Sequence, residues 1–377
     1  GICSGKTGGW INVSEIPPLG TVVGKNGSAT AAESSWHTFA DGVMETPFYR
    51  AVFNEDGSFS SLFDKKNKRE IVAPGGALNR LAVFHDYPGK YDAWDILPNW
   101  QDREDAVVVT TPLEITSAGP VFAELTVGFR VNESAWQQRI RFFRDASRIE
   151  FDHTVDWHER NRLAKAMFDF NLLARSATCD TSAGSIQRST HRNTTWEQAR
   201  FEVCHHKWAD ISEGGYGVSI MNDGKYGISF TENQAGVSLL RGSVRPDPYA
   251  DKGKHSFCLA LQPHTGTPES AGIPQEAWAF NVPVYVFQGR GMTESLFEVS
   301  AEDLHVQSVK RPEDGTSALI IRLCEIHGCR GTADLVFASP VQNAMRTNLL
   351  EDPDPDRPVT AKGDTVMVEY RPYEIIT

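Results

Sequence analysis

The stretch Phe48-Tyr49-Arg50-Ala51-Val52-Phe53-Asn54-Glu55-Asp56-Gly57-Ser58-Phe59-Ser60-Ser61-Leu62-Phe63 decides the fold. Two short apolar runs flank Asp56-Gly57, a dipeptide that tolerates the backbone of a tight turn, and this pattern predicts a β-hairpin. The period of two recurs downstream. Val121, Ala123, Leu125, Val127, Phe129 and Val131 alternate with Phe122, Glu124, Thr126, Gly128 and Arg130. After the turn chemistry of Arg144-Asp145-Ala146-Ser147, the residues Ile149, Phe151, His153, Val155 and Trp157 share one face, and Glu150, Asp152, Thr154, Asp156 and His158 the other. Alternation of this kind is that of half-buried strands. With 31 Gly, 20 Pro and no long stretch of helical period, the expectation is an all-β, antiparallel sandwich chain.

A chain of 377 residues exceeds what one core usually spans. Three segments are expected: a linker over 1–45, a large antiparallel β-sandwich over 46–275, and a smaller β domain over 276–377. The Gly272-Ile273-Pro274 and Asn281-Val282-Pro283 loops mark the second break. Hydrophobic content of 40% against 23% charged residues is that of a globular protein. The net charge of -12 repels phosphate backbones and anionic lipid, so neither nucleic acid nor membrane is an expected partner. Six scattered cysteines favour reduced thiols over a disulfide scaffold. A chain opening on Gly1 is expected to be processed or cut from something longer.

Several motifs read as structure rather than chemistry. Gly1-Ile2-Cys3-Ser4-Gly5-Lys6-Thr7 has too few residues between its glycines to wrap a phosphate. Asp152, Asp156 and His158 fit an exposed strand face better than a metal site. Cys324, His327 and Cys329 lack the paired spacing of a zinc site and read as a hairpin corner, so no metal is expected on this chain. Two segments resist that treatment. Tyr91-Asp92-Ala93-Trp94-Asp95-Ile96 sets two carboxylates around an aromatic, the composition of a sugar-binding wall. The bland alternative is that Asp92 and Asp95 cap a turn through backbone N–H groups. The second segment, Arg188 to Tyr226, concentrates His191, Asn193, Trp196, His206, Trp208 and Asp210, a polar-aromatic density that reads as an interface or a site.

At these residues the chain resembles the C-terminal portion of glycoside hydrolase family 38, the α-mannosidases of the cytosolic, vacuolar and bacterial branch. The resemblance rests on Tyr91 to Ile96, Val155-Asp156-Trp157-His158-Glu159, Arg188 to Trp196, Trp208-Ala209-Asp210-Ile211, Asn222 to Gly227, Pro246-Asp247-Pro248, Pro263-His264 and Asn348-Leu349-Leu350-Glu351. Arg188-Ser189-Thr190-His191 and Lys165-Ala166-Met167 depart from the branch pattern, and the latter puts the packing of one strand in question.

The resemblance implies a large, galactose-mutarotase-like supersandwich followed by a smaller sandwich. It also implies a retaining enzyme acting on α-mannosides or oligomannose, with zinc, the aspartate nucleophile and the acid/base on an N-terminal half. No catalytic residue and no cofactor is expected on this chain itself. Its Tyr91, Asp92, Trp94, Asp95, Arg245, Asp251 and His255 would border the sugar pocket. The His191 to Asp210 face would dock the N-terminal half. A cytoplasmic or vacuolar location follows from the branch, and a homo-oligomer stays open. The competing reading is a free-standing carbohydrate-binding sandwich.

Overall fold

The computed structural model describes residues 2–4, 10–12, 20–21, 36–282, 284–285 and 294–377. Most of the expected linker, including most of the Gly1 to Thr7 stretch, lies outside the described residues. The end of that linker does not behave as one. Thr38–Ala40 and Val43–Glu45 are strands, and the second pairs with Tyr49–Phe53. The chain divides into a larger unit, Ala31–Cys179 with Ile186–Asn281, and a smaller one, Gly1–Thr30 with Asp180–Ser185 and Val282–Thr377. The larger unit therefore runs past residue 275, because the helix Ile273–Asn281 buries Ile273 and Ala277 against Trp208, Met221 and Ala260.

The hairpin of the opening stretch forms as expected. Tyr49–Phe53 pairs antiparallel with Phe59–Asp64, and the Asp56 carboxylate accepts the Ser58 N–H at 3.0 Å. Gly57 sits at φ +75°, where a side chain would be strained and would also strike Val127 at 2.9 Å.

This hairpin belongs to an 11-stranded sheet. Its path runs from Val203–Cys204 through Gly227–Thr231, Gln234–Arg241, Arg162–Asp169, Leu78–His85 and Phe59–Asp64 to Thr38–Ala40. A 9-stranded sheet faces it, with Phe122–Val131, Ser134–Phe143, Ile149–Trp157, Gly253–Thr265, Tyr216–Asn222 and Trp208–Glu213 as successive neighbours. The strand Arg162–Asp169, whose packing the sequence left in question, is central, paired on both sides.

The alternation read from the sequence becomes a core between the sheets. Leu125, Val127 and Phe129 from one strand and Phe151, Val155 and Trp157 from another meet Phe53, Phe59 and Phe168 of the opposite sheet. The Phe59 ring lies 4.7 Å from Phe53, 6.0 Å from Phe151 and 6.3 Å from Phe142. Phe59→Ala would empty the centre of this cluster and should cost about 3–5 kcal/mol. A lowered denaturant midpoint with unchanged slope would register it.

On the outer face of the 9-stranded sheet the polar alternates form an ion-pair ladder. Arg141 bonds Glu124 at 2.6 Å and Asp152 at 3.1 Å, and Arg139 bonds Asp152 at 3.0 Å. Asp156 is spent on His158 at 3.0 Å.

In the smaller unit, a four-stranded and a three-stranded sheet enclose Phe297, Leu304, Leu323, Leu335, Val366, Val368 and Tyr370. The stretch from Glu325 to Cys329 is a corner. The buried Glu325 carboxylate accepts the N–H groups of His327, Gly328 and Cys329 at 2.8–3.0 Å, and that of Tyr373 at 2.7 Å.

Candidate functional site

The strands Leu78–His85 and Gln234–Arg241 flank Arg162–Asp169, with Arg162 opposite His85 and Leu163 opposite Arg241. Both outer strands therefore end on the same edge of the sheet. The segments that follow them, 86–102 and 242–252, meet there although about 150 residues separate them in the chain.

Three locks tie these segments. Asp92 is 4% exposed, and its carboxylate accepts the N–H groups of Val244 and Arg245, each at 2.7 Å, and the Asn161 amide at 3.2 Å. Arg241 donates to the buried Asp86 at 2.9 Å through Nε, and also to the Asp95 carbonyl. Asp251 accepts the Arg241 N–H at 2.9 Å, and the His255 ring bonds the Asp251 carbonyl at 2.7 Å. The passage is tight enough that a side chain at Gly242 would sit 2.4 Å from the Glu159 carbonyl oxygen.

The sugar-wall expectation thus splits. Asp92 has both carboxylate oxygens taken by the loops, which is the bland reading; Asp251 gives one carboxylate oxygen and His255 one ring nitrogen to the same loops. Tyr91, Trp94, Asp95 and Arg245 are exposed, although one Asp95 oxygen accepts the Ile96 N–H at 2.9 Å, so the turn-capping reading holds in part for Asp95 as well. Trp94 is 70% exposed and its ring lies 5.0 Å from that of Tyr91, while Tyr87 and Tyr249 are exposed on the same two segments. An aromatic surface left in water in this way costs solvation unless an amphipathic ligand covers it. Sequence reasoning missed the Asp86–Arg241 pair and Asn161, since nothing local links groups 155 residues apart.

Beneath the loops lies a buried ammonium. Lys165 is fully buried, bonded to Glu202 at 2.8 and 2.9 Å and to Ser238 at 2.7 Å, and it sits 4.7 Å above the Trp100 ring. Desolvation lowers its pKa and Glu202 opposes that shift. Glu202→Gln would leave the charge without its counter-ion and should destabilise the fold by about 3–5 kcal/mol, readable as a fall in Tm.

The docking expectation also splits. Trp196 (75% exposed) stands out from a short helix, Thr195–Ala199, which Thr194 and Glu197 close with a capping box, and Asn193 is exposed just before it. His191 pairs with Glu197 at 3.4 Å, and His206 is half-buried against Tyr226 at 5.3 Å. Trp208 and Asp210, in contrast, are each 1% exposed. They are not surface groups, because the helix Ile273–Asn281 covers Trp208 and a hydrogen-bonded cluster encloses Asp210. Part of the polar density of this segment is a buried network around Asn222, which bonds His205 at 3.0 Å and accepts the N–H groups of Gly224 and Lys225.

Among the described residues, one group brings metal-ligating atoms within 4.8 Å of one another: Asp303, Glu325 and Cys329. Its carboxylates are already taken, Glu325 by the corner described above and Asp303 by the Tyr370 hydroxyl at 2.9 Å. No helix among the described residues is long and apolar enough to cross a membrane.

Two family models match the sequence, "Glycosyl hydrolases family 38 C-terminal domain" over residues 44–249 and "Glycosyl hydrolases family 38 C-terminal beta sandwich domain" over residues 303–377. Human alpha-mannosidase 2C1 is 30% identical over 89% of the chain, and alpha-mannosidase G of Dictyostelium discoideum is 30% identical over 97%. The chain spans about a third of the length of these relatives, 33% and 35% respectively. Among solved structures, an alpha-mannosidase from Enterococcus faecalis superposes over 93% of the chain and 43% of its own, with a TM-score of 0.75 at 16% identity.

Proposed function

Since the chain belongs to glycosyl hydrolase family 38, as a C-terminal portion of its longer relatives, we propose that it serves a retaining α-mannosidase that removes terminal α-D-mannose from oligosaccharides. The observation that carries this reading is the exposed Tyr91–Trp94 pair, held on one sheet edge by the Asp92 and Arg241 locks. Tyr91 and Trp94 offer a wall to the C–H face of a sugar ring. Asp95 and Arg245, exposed beside them, orient its hydroxyls. Asp92, Asp251 and His255 act one step back, by fixing the loops.

The contribution of this chain is positioning, while bond cleavage belongs to an upstream half carrying the nucleophile and the acid/base. The zinc that the family implies finds no fitting ligand set among the described residues, because Glu325, at the centre of the one converging group, already accepts four backbone N–H groups and Asp303 accepts the Tyr370 hydroxyl. It would be held by the upstream half. The outward face carrying His191, Asn193, Trp196 and His206 is the docking surface for that half. A cytoplasmic or vacuolar compartment suits free oligomannose as substrate.

The purified chain should hydrolyse no aryl α-mannoside and carry no stoichiometric zinc, and should support turnover once joined to the upstream half. Turnover by the chain alone, or one zinc per chain by elemental analysis, would overturn the division of labour. Tight oligomannose binding by the chain alone, lost in Trp94→Ala, would favour a free-standing binding module.

A further inference from the structure

A second polar site lies on the other sheet of the larger unit. A cavity of about 350 Å³ opens on the outer face of the 9-stranded sheet, over Ser176, Thr178, Gln187, Asp210, Ser212 and Glu213, beneath the turn Gly266–Glu269. Asp210 is its most constrained wall. Although only 1% exposed, it accepts Ser219 at 2.6 Å and the His264 ring at 2.7 Å on one oxygen, and Ser212 on the other. A carboxylate has about four acceptor positions, so the oxygen bonded to Ser212 keeps one of its own. His264 donates through Nε2, and its Nδ1 is buried with no hydrogen-bond partner.

The remaining wall is equally ordered. Ser176 donates to the Gln187 carbonyl at 2.6 Å and the Gln187 amide donates to Thr178 at 2.8 Å, so the amide orientation is set, and one amide N–H and the Thr178 O–H are left to donate. Glu213 is neutralised by Arg69 at 2.6 Å and holds the Leu173 N–H at 3.1 Å.

We infer that this cavity binds one neutral, pyranose-sized polyol, independently of the Tyr91–Trp94 surface. Three features select this ligand class. The volume stands at the low end of small-molecule sites, about 300–1,000 Å³, which suits a single ring rather than an oligosaccharide. Donors and acceptors are interleaved, which matches hydroxyl groups that each donate and accept. Asp210 and Glu213 are compensated by protein donors and do not converge as metal ligands do; the converging group lies elsewhere, at Asp303, Glu325 and Cys329.

The test is ligand-observed NMR and calorimetry on the intact chain, with D-mannose and D-glucose at millimolar concentration, and with calcium and spermidine as cationic probes. Gly214→Trp is the blocking variant, because Gly214 is exposed at the cavity and a side chain there meets nothing within 4 Å. Asp210→Asn is the second variant, with Tm recorded to separate misfolding from lost binding. The expected result is saturable sugar binding, weakened at least about 10-fold by Gly214→Trp with Tm unchanged, and unaffected by Trp94→Ala. No sugar binding, sugar binding indifferent to Gly214→Trp, or preferential binding of either cation would overturn the proposal. A loss confined to Trp94→Ala would place the sugar on the loop surface instead, overturning this inference while leaving the proposed function standing.

Discussion

Asp92→Ala is expected to lower stability by about 2–4 kcal/mol, because it removes a buried carboxylate that two backbone N–H groups and an amide share. Its effect on the intact enzyme should be indirect. Once the lock is gone the two loops drift, and the surface formed by Tyr91, Trp94 and Arg245 loses its geometry. Catalytic efficiency should then fall on the order of 10- to 1000-fold. Trp94→Ala is the matched comparison. Its side chain is exposed, so efficiency should drop by a similar factor with Tm unchanged. Melting curves and kcat/KM on the same preparations separate the roles. A stable Asp92→Ala protein would sink the lock, and a fully active Trp94→Ala enzyme would sink the sugar wall.

Acid should unfold the larger unit early. His153, fully buried among Trp136, Gln138 and Phe257, has its pKa lowered to about 3 by desolvation, with Lys225 adding to the shift. His205 is lowered to about 4, again by burial first, with His206 and Lys165 contributing and the Tyr226 carbonyl opposing. The unfolded chain protonates both imidazoles as pH falls through about 6.5, whereas the folded chain stays unprotonated until far lower. The unfolded state thus binds the extra protons, and stability declines as pH falls from about 6.5 toward 4. Two such groups give a slope approaching about 2.7 kcal/mol per pH unit, or on the order of 5 kcal/mol lost by about pH 4.5. Denaturant titrations across that window measure it. Replacing His205 by glutamine should roughly halve the slope, and an unchanged slope would show that carboxylates govern acid unfolding.

The β architecture of the larger unit was legible because strand periodicity and turn chemistry are local. Asp56-Gly57 marks its hairpin without reference to anything distant, and the inward set of Ile149 to Trp157 follows from a period of two. The limits of that reading were equally local in origin. Strands at Thr38–Ala40 and Val43–Glu45 are too short to show a period, and they read as linker. A helix of nine residues, Ile273–Asn281, was hidden by its Gly- and Pro-containing flanks, which shifted the expected domain break.

The candidate site was half legible for the same reason. Composition pointed to both Tyr91–Ile96 and the segment from Arg188 to Tyr226, and composition is a property of the chain. Whether a carboxylate faces water or caps a distant backbone is not. Asp92 and Asp95 look alike in sequence, yet one is consumed by N–H groups more than 150 positions away and the other is exposed. Trp196 and Trp208 differ likewise, because only the second lies under a helix. The sequence by itself determined that this chain would alternate into sandwich strands and which residue types could meet a sugar. The tertiary structure alone decided which of them remain free to do so, since an unsatisfied buried donor is costly enough that the fold claims whichever carboxylates its loops bring within reach.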